Sequence, residues 1–269
     1  MKRRPFKLTT LLALVLGLAS LGAEAQVSLG VNRLLVVSAA GSATQNCTGL
    51  RDTLAGITTT AADNPYVLRL EPGEYDCGAT SLVMKSYVDL EGSGEGVTRV
   101  FGVPEGDPLV GDPEPAVVAM ADQMELRFLT VEHLGDEGGT TDLCAAAAVS
   151  AGSGESRITH ASLVAREALC NSCGLFTRTS ATIRVADSSI KGDFEGILMQ
   201  DGSSTVLVRG STVEGANGTG VVFAGAGDVV LLAHSQLIHG FDTTQGGDLT
   251  CLYSYDGNLA ELNSGCSPP

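Results

Sequence analysis

Ser188-Ser189-Ile190-Lys191-Gly192 returns 23 residues later as Ser211-Thr212-Val213-Glu214-Gly215, and more loosely as Ser235-Gln236-Leu237 with Gly240. Thr182-Ile183-Arg184-Val185, Thr205-Val206-Leu207-Val208 and Asp228-Val229-Val230-Leu231 form a second column, read at intervals of 23 and 23. Gly174-Leu175, Gly196-Ile197 and Gly220-Val221 form a third, at intervals of 22 and 24. Each period therefore holds three short β-branched or aliphatic segments, with apolar residues alternating inside each and Gly, Ser, Asn and Asp between them. Such a unit is one solenoid coil: it cannot bury its inward row alone, but stacked coils join equivalent segments into parallel ladders over a continuous aliphatic core. A leucine-rich repeat needs a shorter consensus with a recurring Asn, and a left-handed β-helix a hexapeptide rhythm; neither is present. The pattern predicts an all-β fold, a single-stranded right-handed parallel β-helix with three faces per coil.

Outward from this region, the open ends of a solenoid need covers. Leu50, Leu54 and Ile57 recur at helical spacing, which predicts a capping helix over 47–57 across the first coil. Tyr66 to Leu70 reads as a strand, Glu71-Pro72-Gly73-Glu74 as a turn and Tyr87 to Leu90 as the next strand. Residues 243–269 are read as a C-terminal cap. The acidic, Pro-rich stretch from Val103 to Pro115 and the segment Gly135 to Thr141 break the pattern and are read as loops.

The amino terminus carries Lys2, Arg3 and Arg4, an apolar run from Leu8 to Leu21 and the small-residue site Ala23-Glu24-Ala25. This is the pattern of a secretory signal peptide over 1–25, leaving one β-helix domain over 26–269. Secretion or export to the periplasm is expected, with no membrane span after the signal is removed. Without residues 1–25 the balance becomes 12 basic against 30 acidic residues, a charge of −18. Such a field disfavours nucleic acid and anionic lipid and favours cations and cationic or neutral partners; polysaccharide or the cell envelope is the expected partner.

Seven cysteines follow the signal: Cys47, Cys77, Cys144, Cys170, Cys173, Cys251 and Cys266. In an oxidising compartment Cys47 is expected to pair with Cys77, Cys251 with Cys266, and Cys144 with Cys170 or Cys173, with one thiol left over. Cys170-Asn171-Ser172-Cys173 has thioredoxin-like spacing but follows no βαβ pattern, so a structural bridge is preferred. Asn46-Cys47-Thr48 and Asn217-Gly218-Thr219 match glycosylation acceptors.

Leu68-Arg69-Leu70-Glu71-Pro72-Gly73-Glu74-Tyr75, then Val88-Asp89-Leu90-Glu91-Gly92-Ser93-Gly94 and Thr98-Arg99-Val100, resembles the opening coils of pectinesterase-like and pectate-lyase-like proteins of the pectin-lyase-like superfamily, secreted bacterial members above all. The likeness covers roughly residues 47–102 and describes a turn and the first coils, so it bears on fold more than on activity. Pectinesterases of that family use two aspartates, a glutamine and an arginine on adjacent coils. Gly192-Asp193-Phe194-Glu195-Gly196 is faintly similar to the segment around one of those aspartates, and Gln200-Asp201 to the glutamine-aspartate pair. Their order along the chain is reversed, however, and the downstream arginine motif has no counterpart. No catalytic residue carries over. The paired aspartates of polygalacturonases are also missing, and Ile238-His239-Gly240 matches only part of their Gly-His-Gly segment.

Asp193, Glu195, Asp201 and Glu214 fall on neighbouring coils and are the candidate substrate-binding residues, with Lys191 and Arg209 as nearby cations. No EF-hand spacing or glycine-rich nonapeptide supports a metal loop, and no cofactor is called for. Aligning the serine columns places His160, Asp187, Gly210 and His234 at equivalent positions beside Ser188, Ser211 and Ser235; a polar ladder is preferred over a nucleophilic site, since no strained nucleophile turn marks any serine. Two functions follow: a non-catalytic polysaccharide- or envelope-interacting module, or a divergent polysaccharide-active enzyme of pectinesterase or lyase type. Only 5 Tyr and 7 Phe, with no Trp, argue against a sugar-stacking platform.

Overall fold

In the computed structural model, residues 33–267 are described except 105–115, 136–144, 151, 167–171, 179, 201 and 243–245. The expected signal peptide, most of both expected loops, Cys144, Cys170 and Asp201 lie outside the described residues.

The chain winds through three parallel sheets in turn. Sheet A has nine strands, from Arg33–Val37 to Gly247–Leu252; sheet B has seven, from Gly73–Asp76 to Gln236–Ile238; sheet C has seven, from Leu82–Val83 to Phe241–Asp242. One complete coil consists of Thr182–Ala186 in sheet A, Ser189–Gly192 in sheet B and Glu195–Met199 in sheet C. Strands of successive coils pair in register, Ser189 with Thr212 and Thr212 with Gln236, Leu175 with Ile197 and Ile197 with Val221. This is a right-handed parallel β-helix.

Alternation within each strand sends one row into the lumen. In sheet A that row is Leu68, Leu90, Leu126, Ile158, Val185, Val208, Leu232 and Cys251; in sheet B it is Tyr75, Val100, Val131, Leu163, Ile190, Val213 and Leu237. All are buried. At roughly 1.5–3 kcal/mol per large apolar side chain, these stacked rows supply the main force holding coil to coil. The corners demand close approach: a Cβ on Gly192 would lie 2.0 Å from the Glu195 carbonyl oxygen and 2.4 Å from that of Ser172. The second repeat column needs one correction. Thr205 pairs with Val229, not Asp228, so the spacing there is 24 rather than 23.

The corner from sheet A to sheet B is a tight turn whose first residue is left-handed. Phe128, His160, Asp187, Gly210, His234 and Tyr253 stack there with φ between 48° and 59°. This confirms the equivalence of His160, Asp187, Gly210 and His234. The residue after each is where the serines stand, and they form a hydrogen-bonded ladder. Ser188 Oγ accepts the Ala161 N–H (3.2 Å), Ser211 Oγ that of Ser188 (3.1 Å), Ser235 Oγ that of Ser211 (3.3 Å) and Ser254 Oγ that of Ser235 (3.4 Å). Each hydroxyl donates to the carbonyl two residues before it in the chain. With both capacities spent on the backbone, these serines are ladder rungs.

Helix α1, Ala43–Gly56, covers the first coil with Cys47, Leu50 and Leu54 buried, and Ile57 follows at its end. It begins four residues earlier than the periodicity predicts because Ser42 and Gln45 form a capping box. At its carboxyl end the Lys85 ammonium donates to the carbonyls of Leu54 (2.8 Å) and Ile57 (2.6 Å), which favours a cation there. Cys47–Cys77 and Cys251–Cys266 are bonded, as expected, and Cys173 is buried. Asn46, a glycosylation match, is also buried. Its amide donates to the Glu74 carbonyl (2.9 Å) and accepts the Gly41 N–H (2.9 Å), so it is committed to this corner. Asn217 is exposed.

Candidate functional site

The outer face of sheet C differs from the other outer faces in carrying buried apolar rows. Ala119, Val149, Phe176 and Leu198 form one outward row and Ala116, Ala146 and Cys173 another, together making a cluster separate from the lumen core. Polar groups begin where these rows run out. Cys173 pairs with Glu195 and Glu195 with Thr219; Leu198 pairs with Val222 and Val222 with Asp242.

Glu195 opens its strand directly after the Asp193-Phe194 corner, on the apolar face. Burial pushes its carboxyl up to about 7, against a hydrogen bond from its own N–H, and its Oε2 is buried with no hydrogen-bond partner. Gln200 follows the same strand, and its Oε1 is likewise buried and unpartnered. Arg178 occupies the equivalent place one coil earlier, nearly buried, with its guanidinium 6.0 Å from the Phe176 ring centre. The Thr177 carbonyl accepts the Gln200 N–H (3.0 Å), fixing the two coils in register. The two acceptors thus stand at opposite ends of one strand, Glu195–Met199, each a buried oxygen that lacks a donor.

The three described candidate acids do not converge. Asp193 sits on the corner, its N–H donating to Ser172 Oγ (3.0 Å) and its carbonyl accepting the Asn217 N–H (2.7 Å). Glu214 projects from sheet B and pairs with Lys191 at 3.0 Å, so that cation and that carboxylate neutralise each other away from sheet C. Arg209 ends a strand of sheet A. Glu195 alone of the described three reaches the sheet C face; Asp201 is not among the described residues. Among the described residues no cluster of three or more His, Cys, Asp and Glu could hold a metal ion, and no helix is long and apolar enough to cross a membrane.

Sequence reasoning missed an ionic ladder on sheet A. Glu91 takes hydrogen bonds from Arg69 and Arg127, and Arg127 continues to Glu125 (2.5 Å) and Asp89 (3.4 Å). On sheet B, Glu132 joins Arg99 (2.7 Å) to Arg166 (2.5 Å). The signal was charge alternation at one register position across coils, visible only once the register of the irregular early coils is known.

No protein-family model matches the sequence, and no curated protein matches it. Solved structures do match the fold. Pectin methylesterase PemA from Erwinia chrysanthemi superposes with a TM-score of 0.58 at 12% identity over 89% of this chain and 93% of its own. The ORF18 protein of Geobacillus virus E2 gives 0.53 at 12% identity over 95% of this chain and 52% of its own, and pectin methylesterase from carrot 0.50 at 12% over 87% and 86%. The chain therefore has the pectinesterase-like right-handed parallel β-helix fold. At such identities the likeness carries no residue role.

Proposed function

We propose that this is an exported β-helix protein that engages polysaccharide where the buried apolar rows of sheet C end, around Glu195 and Gln200, without pectinesterase chemistry. The observation that carries the reading is the pair of buried, unpartnered acceptors, Glu195 Oε2 and Gln200 Oε1, at the two ends of one strand of that sheet. Sugar hydroxyls are donors of the required kind. Against ester chemistry stands the occupancy of the neighbouring outward positions by Ala119, Val149, Phe176, Ala146 and Cys173, which bring no acid, base or oxyanion donor from their side chains. The structures with the same fold include two pectin methylesterases, which fits a polysaccharide partner. Two disulfides fit an oxidising compartment, either periplasm or exterior.

A second reading, a divergent polysaccharide-active enzyme, is favoured by one fact: a carboxyl titrating near 7 suits general acid–base work at neutral pH. The deciding experiment incubates residues 26–269 with pectins and with neutral and acidic polysaccharides, scoring retention, methanol release and unsaturated products together. Retention that falls at least tenfold in Glu195→Gln and Gln200→Ala, with no product, supports the binding module. Turnover abolished by Glu195→Gln or Asp193→Asn establishes the enzyme instead. Neither retention nor turnover overturns both.

A further inference from the structure

At the carboxyl end of the solenoid a cleft of about 430 Å³ opens between the last strand of sheet B and the chain that folds back over it. Its walls are Leu237, Ile238, His239 and Gly240 on one side and Asp256, Gly257, Asn258, Leu262 and Cys266 on the other. The walls are locked together. The Leu237 N–H donates to the Tyr255 carbonyl (2.8 Å), Gln236 Nε2 to the Asp256 carbonyl (3.2 Å), and Cys266 is bonded to Cys251 of the final sheet A strand. A preformed space of this size falls in the range of about 300–1,000 Å³ usual for small-molecule sites, and needs little ordering on binding.

His239 is held in the left-handed region, φ 67°, a conformation that costs a non-glycine residue free energy. Its Nδ1 lies 2.7 Å from the Gly215 carbonyl oxygen, which only accepts, so Nδ1 carries the proton and Nε2 of the neutral ring is an acceptor. Asp256 spends Oδ1 on the N–H groups of Asn258 (2.9 Å) and Ala260 (2.8 Å), leaving Oδ2 uncommitted. The Asn258 amide adds both a donor and an acceptor. The floor is apolar, with Leu262 buried and Ile238 beside Gly257.

Mixed acceptors and donors over an apolar floor match a ring that carries several hydroxyls on one edge and C–H groups on its face. The Asp256 carboxylate and the formal charge of −15 weigh against an anionic sugar. We propose that this cleft binds one neutral hexose unit, its hydroxyls meeting His239 Nε2, Asp256 Oδ2 and the Asn258 amide above Ile238 and Leu262. The proposal takes its ligand class from the reading above and its place from the cleft, which lies apart from Glu195 and Gln200.

The chain has four histidines, so the imidazole ¹H–¹⁵N spectrum of the full mature protein reports on His239 directly, assigned with His239→Asn. D-Galactose and D-glucose are titrated in turn, then galacturonate. The expected result is a saturable shift of the His239 signals with at least one neutral hexose while those of His133, His160 and His234 stay in place. Gly257→Val, whose Cβ would sit at an ordinary 3.4 Å from Ile238, fills the cleft and should weaken the response at least tenfold; Asn258→Ala is the second variant should the first melt early. No His239 shift with either hexose, an undiminished response in both variants, or galacturonate binding as tightly as the better hexose overturns the proposal. Retention on polysaccharide without a His239 response overturns it and leaves the sheet C reading standing; a response without retention does the reverse.

Discussion

Ser211 Oγ accepts the main-chain N–H of Ser188 across 3.1 Å, from one coil to the next, while donating to the Arg209 carbonyl 2.8 Å away in its own coil. Both serines are buried, so the hydroxyl is the means by which a corner without a strand ladder keeps its N–H satisfied. Ser211→Ala leaves the Ser188 N–H stranded and should cost about 1–3 kcal/mol, read as a lower denaturation midpoint at unchanged slope. Polysaccharide retention should not move. A selective loss of retention or turnover at full stability would instead make Ser211 a functional group.

Glu91 lies between Arg69 and Arg127 and is nearly buried. Burial alone would raise its pKa, but the hydrogen bonds from Arg69 and Arg127 outweigh it and hold the carboxyl below the ordinary 4.5; Glu132 between Arg99 and Arg166 behaves alike. A depressed carboxyl favours the fold while ionised. That contribution is full above about 4.5 and is lost as pH falls through the lower folded value. Thermal unfolding should therefore move sharply downward below pH 4.5, and Glu91→Gln should destabilise by about 1–3 kcal/mol at pH 7 but by much less at pH 3. An equal cost at both pH values would show the ladder to be inert.

Glu195 titrates the other way. Its folded carboxyl is raised to about 7 against an ordinary 4.5, so the fold carries no penalty from it below 4.5, an increasing one up to 7 and a constant one above. Glu195→Gln should abolish that slope and raise stability at pH 8 by on the order of 2 kcal/mol once solvent screening of the half-buried group is allowed for. Parallel denaturation of both proteins at pH 4 and pH 8 tests this; equal differences at the two pH values would mean that Glu195 is ordinary in the fold.

The coils from Thr182 to Gln236 were legible because each corner is short and the lumen residues are of similar size. The Ser188, Ser211, Ser235 column and the Leu175, Ile197, Val221 column match the observed register residue for residue. The slip at Asp228 has a local cause. The Asp228 carboxylate is buried and accepts the N–H groups of Ser203 (3.0 Å) and Ser204 (2.9 Å), so the residue serves as a corner cap preceding the paired Val229. The site was less legible. Asp193 and Glu195 are two residues apart in sequence, yet one turns the corner and the other enters the sheet C face, a distinction set by the bend after Gly192. Arg178 carried no signal at all, because its partner position, Gln200, lies 22 residues on in a repeat whose period drifts there.

The two disulfides tie down the two ends, and a solenoid loses stability from its ends, since each coil is supported only by its neighbours. Cys47–Cys77 spans 30 residues and fastens helix α1 to the first turn of sheet B; Cys251–Cys266 spans 15 and fastens the returning chain to the last strand of sheet A. Chain-entropy arguments give about 3.5 and about 3 kcal/mol for loops of these lengths. The consequences should differ more than those figures. Removing the first frees Leu50 and Leu54 from the end of the lumen core, so the double variant Cys47→Ala, Cys77→Ala should lose amide protection first in Ala43–Gly56 and then in Tyr66–Leu70. Removing the second should loosen Gly247–Leu252 and the cleft beside His239 while Thr182–Met199 keeps its protection. Hydrogen exchange followed by peptide mass reads both, and simultaneous loss of protection in every coil of either variant would mean that the helix unfolds as one cooperative unit rather than fraying from its ends.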